Sequence, residues 1–274
     1  MLPNNFQPRQ AANLIRLGKN HDGGYLVDKS SVLESDYLLS FGISVDWSFE
    51  AQFYGVKKVP IAAYDGTVNL TFWLFLVIKS AIKVFIPGKK GNFFSTSSKA
   101  LNFYRFFSKK NRRFYSKMIG MGEQRLNLDE IMRQNANPRN VFLKIDIEGA
   151  EYQILNQIIK HQNHLTALAI EFHDVSKHRA QIEQFIKTFT LELIHVHANN
   201  YGSVDPNGDP NVLEMTFAKT IRPTDKGIVN HLPNKLDQPN DPSAPEISLQ
   251  FGTENPNNPQ SLSTRLKQKS DTRI

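Results

Sequence analysis

Short, wholly apolar runs recur along the chain with amphipathic stretches between them. Residues 37–42 (YLLSFG) read as a buried strand that stops at a glycine, and 141–146 (VFLKID) and 166–172 (TALAIEF) read as two more. Residues 59–64 (VPIAAY) form a fourth run, which Pro60 confines to a strand start or an edge. Helical patterns occupy 48–56, with Ser48 as the cap, then 149–161 and 176–189. The runs LELIHVHA (191–198) and VLEMTFAK (212–219) have no helix between them, only the turn-rich NNYGSVDPNGDPN, which predicts a closing hairpin. Alternating strands and helices predict an α/β fold with a parallel sheet covered on both faces, and no internal repeat interrupts the pattern. An architecture of this kind leaves function open.

Composition narrows the picture. A chain of 274 residues with 40% apolar content can build one large core or two small ones. The absence of cysteine excludes disulfides, thiolate zinc sites and a cysteine nucleophile. The N-terminal MLPNNFQPRQ lacks the apolar core of a secretory signal. The longest apolar stretch, 70–86, falls short of the roughly 20 residues that span a bilayer. It also carries Lys79 and Lys83. The expected location is therefore cytoplasmic, peripheral to a membrane at most. Net charge is +7, yet eleven Lys and Arg and no acid lie between Gly66 and Gly122, so the rest of the chain carries −4. That asymmetry points to an anionic partner near one segment. Residues 1–251 read as one domain with a basic, aromatic insertion at about 67–112, and 252–274 as a disordered tail.

In a sheet of this kind ligands gather where strands end. The first strand ends in Gly42, Ile43 and Ser44, followed by Asp46 and Glu50; a glycine there admits close backbone approach, or serves a tight turn alone. No GxGxxG is present, which disfavours a dinucleotide. Asp65, followed by Gly66, lies about 20 residues later, the spacing at which Rossmann domains hold ribose hydroxyls; an Asp capping a turn is the structural alternative. The segment LKIDIEGAE (143–151) sends Asp146, Glu148 and Glu151 out of an apolar strand. Buried acids are costly unless paired or bound, although Glu148 and Glu151 also suit a helix N-terminus.

LKIDIEGAE resembles the signature of FkbM-type methyltransferases. DGGYLV (22–27), LLSFGISVDWSFE (38–50), AIEFHDV (169–175), HVHANNYG (195–202) and LPNKLDQPNDPSAPEISLQF (232–251) resemble one branch of the same family in the same order, and the insertion matches least. The resemblance implies a Rossmann-like class I methyltransferase fold with a mostly parallel seven-stranded sheet and a C-terminal antiparallel hairpin. It implies S-adenosyl-L-methionine as methyl donor and a hydroxyl acceptor on a sugar, glycan or natural product. Carried over by position, Gly42, Ile43 and Ser44 would line the methionine part of the cofactor, Asp65 with Gly66 the ribose, and Asp146 the sulfonium and acceptor.

An alcohol becomes a nucleophile as its proton leaves, so a base or a metal is expected beside the acceptor. His173 is the expected base, with Glu171 nearby and His197 as second candidate; His195 shares its face of the strand. A divalent metal on Asp146, Glu171 and His173 is the alternative. The segment 70–117 suits a substrate lid first, then an anionic membrane surface, and nucleic acid last. Two rival functions are a metal-dependent glycosyltransferase using Asp146-Ile147-Glu148 and a non-enzymatic binding protein on the same fold.

Overall fold

The computed structural model describes residues 1–84, 92–219, 227–229 and 231–252. The expected tail from residue 253 onward and positions 85–86 of the apolar stretch lie outside them. The chain opens with an antiparallel hairpin, β1 (Leu14–Leu17) and β2 (Tyr25–Asp28), and α1 (Lys29–Glu34). It continues through β3 (Tyr37–Phe41), α2 (Ser48–Val56), β4 (Ile61–Tyr64), α3 (Leu70–Val84), α4 (Phe93–Phe107) and β5 (Arg112–Tyr115). A two-residue pair, β6 (Met118–Ile119) and β7 (Arg125–Leu126), precedes α5 (Leu128–Gln134) and β8 (Val141–Ile145). Then follow α6 (Leu155–His161), β9 (Leu165–Phe172), α7 (Val175–Thr188), β10 (Glu192–Ala198) and β11 (Leu213–Ala218).

Seven strands form one sheet in the order β10-β11-β9-β8-β3-β4-β5, and β11 runs against the other six. This is the expected class I methyltransferase arrangement, closed by the expected hairpin. Its register decides the location of the chemistry. Phe41 pairs with Tyr64 and with Ile145, and Ile145 pairs with Ile170. Gly42, Asp65, Asp146 and Glu171 therefore leave the sheet at one edge, where crossover connections open a crevice.

One sheet face is packed by α5, α6 and α7 around Leu143, Ile158 and Phe185; the other is packed by β1–β2 and α2 around Phe49, Phe53 and Phe142. A third apolar cluster joins α3 and α4 to the sheet through Trp73, Phe103 and Phe107. Residues 231–252 form a strap that meets β10 and β11 through Asp237, Asn240 and Glu246. Phe251 then bridges Leu2 beside the chain start.

Several expectations are corrected. Ser48 is the first residue of α2 rather than its cap: its amide donates to Asp46 Oδ1 at 3.0 Å, and its hydroxyl accepts from the Lys19 amide at 2.8 Å. The helix expected over 149–161 is split into a 3-10 turn at Glu151–Gln153 and α6. Pro60 directly precedes β4, which agrees with the strand-start alternative, while the edge alternative fails because β4 is an internal strand. The basic segment contains β5, an edge strand whose Arg112 guanidinium is stacked between Tyr54 and Phe106 at 4.5 and 4.4 Å from their ring centres.

Candidate active site

A cleft of about 220 Å³ opens at the shared strand edge, lined by Gly42 and Ser44 after β3, Asp65 to Thr67 after β4, Lys117 to Ile119 around β6, and Asp146 to Glu148 after β8. Gly42 has φ +73°, and a Cβ there would stand 1.4 Å from the Asp146 carbonyl oxygen, so no other residue lets these two loops meet. Asp65 lines the cleft and also caps its own turn. Its Oδ2 accepts from the Ser44 amide at 2.7 Å, and its Oδ1 accepts from the Thr67 amide and hydroxyl at 2.8 and 2.6 Å. The turn-capping role weighed for Asp65 is thus present, in a residue that also lines the cleft. Ile43 is the exception among the expected cofactor residues: its side chain turns away from the cleft into the core with Val68 and Trp73. Ser44, Glu148 and Asp174 adopt left-handed backbone (φ 46°, 54° and 51°), one in each of the loops after β3, β8 and β9. Such residues cost roughly 1–2 kcal/mol each and are held by surrounding structure.

Behind Asp146 lies a second group. Asp146, Glu171 and His173 each offer a ligand atom within 4.8 Å of the others, so the three residues nominated from strand ends converge. Tyr25 of β2 donates toward Asp146 Oδ2 (3.2 Å) and Glu171 Oε2 (3.1 Å), and Asn199 Nδ2 donates to Glu171 Oε1 at 2.7 Å. Lys144 rises from the same strand as Asp146. Its Nζ donates to the Gly42 carbonyl at 2.6 Å, lies 3.4 Å from Asp146 Oδ2, and sits over the Tyr25 ring. His173 Nδ1 is 3.2 Å from Glu151 Oε1, which also accepts from the His173 amide, and its Nε2 is 3.4 Å from Glu148.

Electrostatics follow from crowding acids in a buried place. Burial, then the charges of Asp146 and Glu214, push Glu171 up to about 8. Burial opposes a charge on His173, but its hydrogen bond to Glu151 and the charges of Glu171, Glu151 and Asp146 prevail, raising its pKa and holding it protonated. Lys144 is likewise held charged against burial by Asp146, Glu50 and Glu171. The edge is therefore an acidic nest partly neutralised by one lysine and one imidazolium, a setting that favours a cationic guest.

The family profile described as methyltransferase FkbM domain matches residues 2–202. The chain belongs to that family. The family is one of S-adenosylmethionine-dependent methyltransferases, which agrees with the sheet order. No curated protein matches. Among solved structures, the methyltransferase domain of METTL16 is similar at 6% identity and TM-score 0.37, covering 70% of this chain. The chain spans 62% of that domain's length. An rRNA methylase from Streptococcus thermophilus is similar at 12% identity and TM-score 0.36, covering 70% of this chain and 94% of the methylase. A 30S ribosomal A1408 methyltransferase from an uncultured bacterium is similar at 10% identity and TM-score 0.29, covering 75% of this chain and all of its own.

The FkbM match ends before β11 and the strap, and both supply residues next to the site. His197, the second base candidate, has both ring nitrogens engaged: Nδ1 with Glu214 of β11 at 3.2 Å and Nε2 with Glu246 of the strap at 3.1 Å. Glu214 also accepts from Asn240 Nδ2 at 2.7 Å. His195 Nε2 lies 3.1 Å from the Asp237 carboxylate. Both histidines do point the same way, as strand alternation requires, but toward the strap. His197 is thereby removed from the list of bases. The sequence reading missed Tyr25, Lys144, Glu214 and Asn240. A charged lysine inside the otherwise apolar VFLKI was the available signal for one of them.

Proposed function

We propose that this chain methylates a hydroxyl of a sugar, glycan or natural product, with S-adenosyl-L-methionine in the cleft and the acceptor against Asp146, Glu171 and His173. The reading is carried by Asp146, which belongs both to the cleft wall and to the buried acidic group, so a donor and an acceptor can meet at one carboxylate. The donor set fits the cofactor: Asp65 offers carboxylate oxygens to a diol, Met118, Ile119 and Ile147 offer apolar surface to a purine, and Asp146 offers negative charge to a sulfonium. The bound cofactor would supply an electrophilic methyl group. A sugar-like acceptor suits a wall of carboxylates and an amide, which accept and donate hydrogen bonds to several hydroxyls at once.

His173 is the base in this reading. It is the more exposed of the two proton-accepting candidates and would act from its neutral form. A cation seated at Asp146 would offset the least of the charges that hold its ring protonated, so methyl transfer should rise with pH as the ring gives up its proton. Glu151 orients it through Nδ1 and its backbone amide. Glu171, fixed by Tyr25 and Asn199, positions the acceptor beside it.

A second reading is favoured by the compact triad itself: a magnesium or manganese ion held by Asp146, Glu171 and His173 would lower the pKa of the acceptor hydroxyl, so that its proton could pass to solvent without a side-chain base. Loss of activity on chelation, restored by either metal, supports it, and full activity after exhaustive chelation removes it. The overall proposal is tested by titrating S-adenosyl-L-methionine and nucleotide-sugars into the protein in a calorimeter. Glycans and lipids from cells lacking the gene are then compared with wild type for a missing methyl increment. Binding of a nucleotide-sugar without S-adenosyl-L-methionine would favour a glycosyltransferase and end the methyl-transfer proposal.

A further inference from the structure

The helices α3 and α4 form a hairpin between β4 and β5 that has two unlike faces. The inner face seats Trp73, Phe103 and Phe107 against Ile43, Val68 and Phe114. On α3, Leu70, Leu74, Phe75, Ile78 and Ile82 are each more than half exposed, and four of them recur every fourth residue along one flank. On α4, Phe94 is 86% exposed, with Leu101 and Tyr104 also in solvent. Among the described residues, eight of the seventeen exposed large hydrophobics belong to this one hairpin. Isolated exposed apolar residues need no account, whereas such a concentration marks an interaction surface.

Charge identifies the partner. The charged residues between Gly66 and Gly122 are all basic, and Lys79, Lys83 and Lys99 line a groove of about 350 Å³ between the two helices, together with Ser80, Asn92, Ser95 and Thr96. A second copy of the chain would bring like charges together. A nucleic acid would satisfy the lysines and stack on the rings, but it has no use for Leu70, Leu74, Ile78 and Ile82. An anionic bilayer uses all three features: acyl chains accept the aliphatic flank, headgroup phosphates meet the lysines and hydroxyls, and aromatic side chains settle at the boundary. Neither helix is long and apolar enough to cross, so the hairpin would lie in the interface.

We propose that the α3–α4 hairpin docks this protein on anionic phospholipid bilayers, with Leu70, Leu74, Phe75, Ile78 and Ile82 entering the acyl boundary and Lys79, Lys83 and Lys99 binding headgroup phosphates. The hairpin is rooted at the cleft, since Ser44 lines the cleft and its neighbour Val45 lines the groove. Docking therefore holds the cleft close to the lipid surface.

The test is flotation of the full chain with vesicles of phosphatidylcholine alone and of an equal mixture with phosphatidylglycerol. Binding to the mixed vesicles, weakened by added salt, is expected. Lys79→Ala and Lys83→Ala should each lower partitioning about fivefold, and the pair Ile78→Glu with Ile82→Glu should lower it more than tenfold. These side chains are exposed, so circular dichroism melts of the variants should match wild type, and retained S-adenosyl-L-methionine binding separates this test from that of the catalytic proposal. The docking proposal is overturned by absence from mixed vesicles, by undiminished binding of the double glutamate variant, or by a solution dimer that this variant dissociates. Binding to single-stranded RNA without binding to vesicles overturns it as well.

Discussion

His173 and His197 stand on the same side of the sheet's working edge, and each is paired with a buried glutamate. Their surroundings part after that. His173 follows β9 in a loop, keeps an exposed edge, has ligand atoms of Asp146 and Glu171 within 4.8 Å, and has only the exposed Glu148 beside its Nε2. His197 lies within β10, is closed in by Glu214 and Glu246, and has no nitrogen left for a substrate. The chemistry of the two pairs is alike, and only the cover differs. A histidine beside a carboxylate thus becomes a candidate base or a strut according to whether chain passes over it, and here the covering chain is the strap.

The comparison predicts opposite responses to the same change. His173→Ala should lower kcat by about 10²–10⁴, measured as methyl transfer from labelled S-adenosyl-L-methionine once an acceptor is in hand. It should cost less stability than loss of His197, because buried Glu151 keeps the backbone amides of Gly149 and His173 as donors. His197→Ala should leave the activity of the folded fraction intact and destabilise the protein by about 3–5 kcal/mol, because Glu214 would be left buried without its cation. In a domain of this size that is roughly a 10 °C drop in a calorimetric scan. Loss of activity without loss of stability in His197→Ala would erase the distinction.

A pH series sharpens it. Burial disfavours a charge on His197, but the hydrogen bond and charge of Glu214, with Asp237 and Glu246 beyond, lift its pKa to about 9. A folded value above the ordinary value near 6.5 means that the stabilisation is complete below about pH 6.5 and is lost as pH rises through about 9. The swing is on the order of 3 kcal/mol. Glu171, also raised, tilts stability the same way over a lower range, from its ordinary value near 4.5 up to about 8. His173, raised to about 9, adds to the fall over the same window as His197. Melting temperature should therefore fall from pH 6.5 to 9.5, and His197→Gln should remove part of the upper fall and leave the share of His173. A wild-type melting temperature that is level or rising across the interval would contradict the assignment.

Smaller effects complete the series. Asn240→Ala frees one oxygen of buried Glu214 and should cost about 1–3 kcal/mol in denaturant unfolding. Glu148→Gln removes a contact with His173 from a side chain that is 86% exposed, so stability should shift by less than about 1 kcal/mol. A large loss there would mean that the loop after β8 depends on Glu148 for its shape.

What could be read from the chain follows the same division between strand ends and cover. Runs such as VFLKI and LTALAIEF announce buried strands, and acids placed at their ends are conspicuous because packing has no need of them; Asp146 and Glu171 were found that way. β5 was hidden because its RRFY sits in a basic segment, where Arg112 is accommodated by stacking on Tyr54 and Phe106 rather than by exposure. Tyr25 was hidden because a tyrosine in a strand reads as apolar, and its hydroxyl matters only once β2 lies against β8 and β9. Glu214, Asp237 and Glu246 were hidden because the strap has no periodicity, so no local pattern reports where it crosses.

The placement of β11 has a consequence for how the protein is made. β10 and β9 are not neighbours; the strand that separates them, β11, is the last of the sheet to be synthesised and lies wholly beyond the FkbM match. Until it leaves the ribosome, β10 has no partner in the sheet, and the Leu2–Phe251 bridge cannot form before the strap follows. At ordinary translation rates this leaves an unfinished edge for on the order of seconds, an interval in which a chaperone or a protease can still distinguish a nascent copy from a completed one.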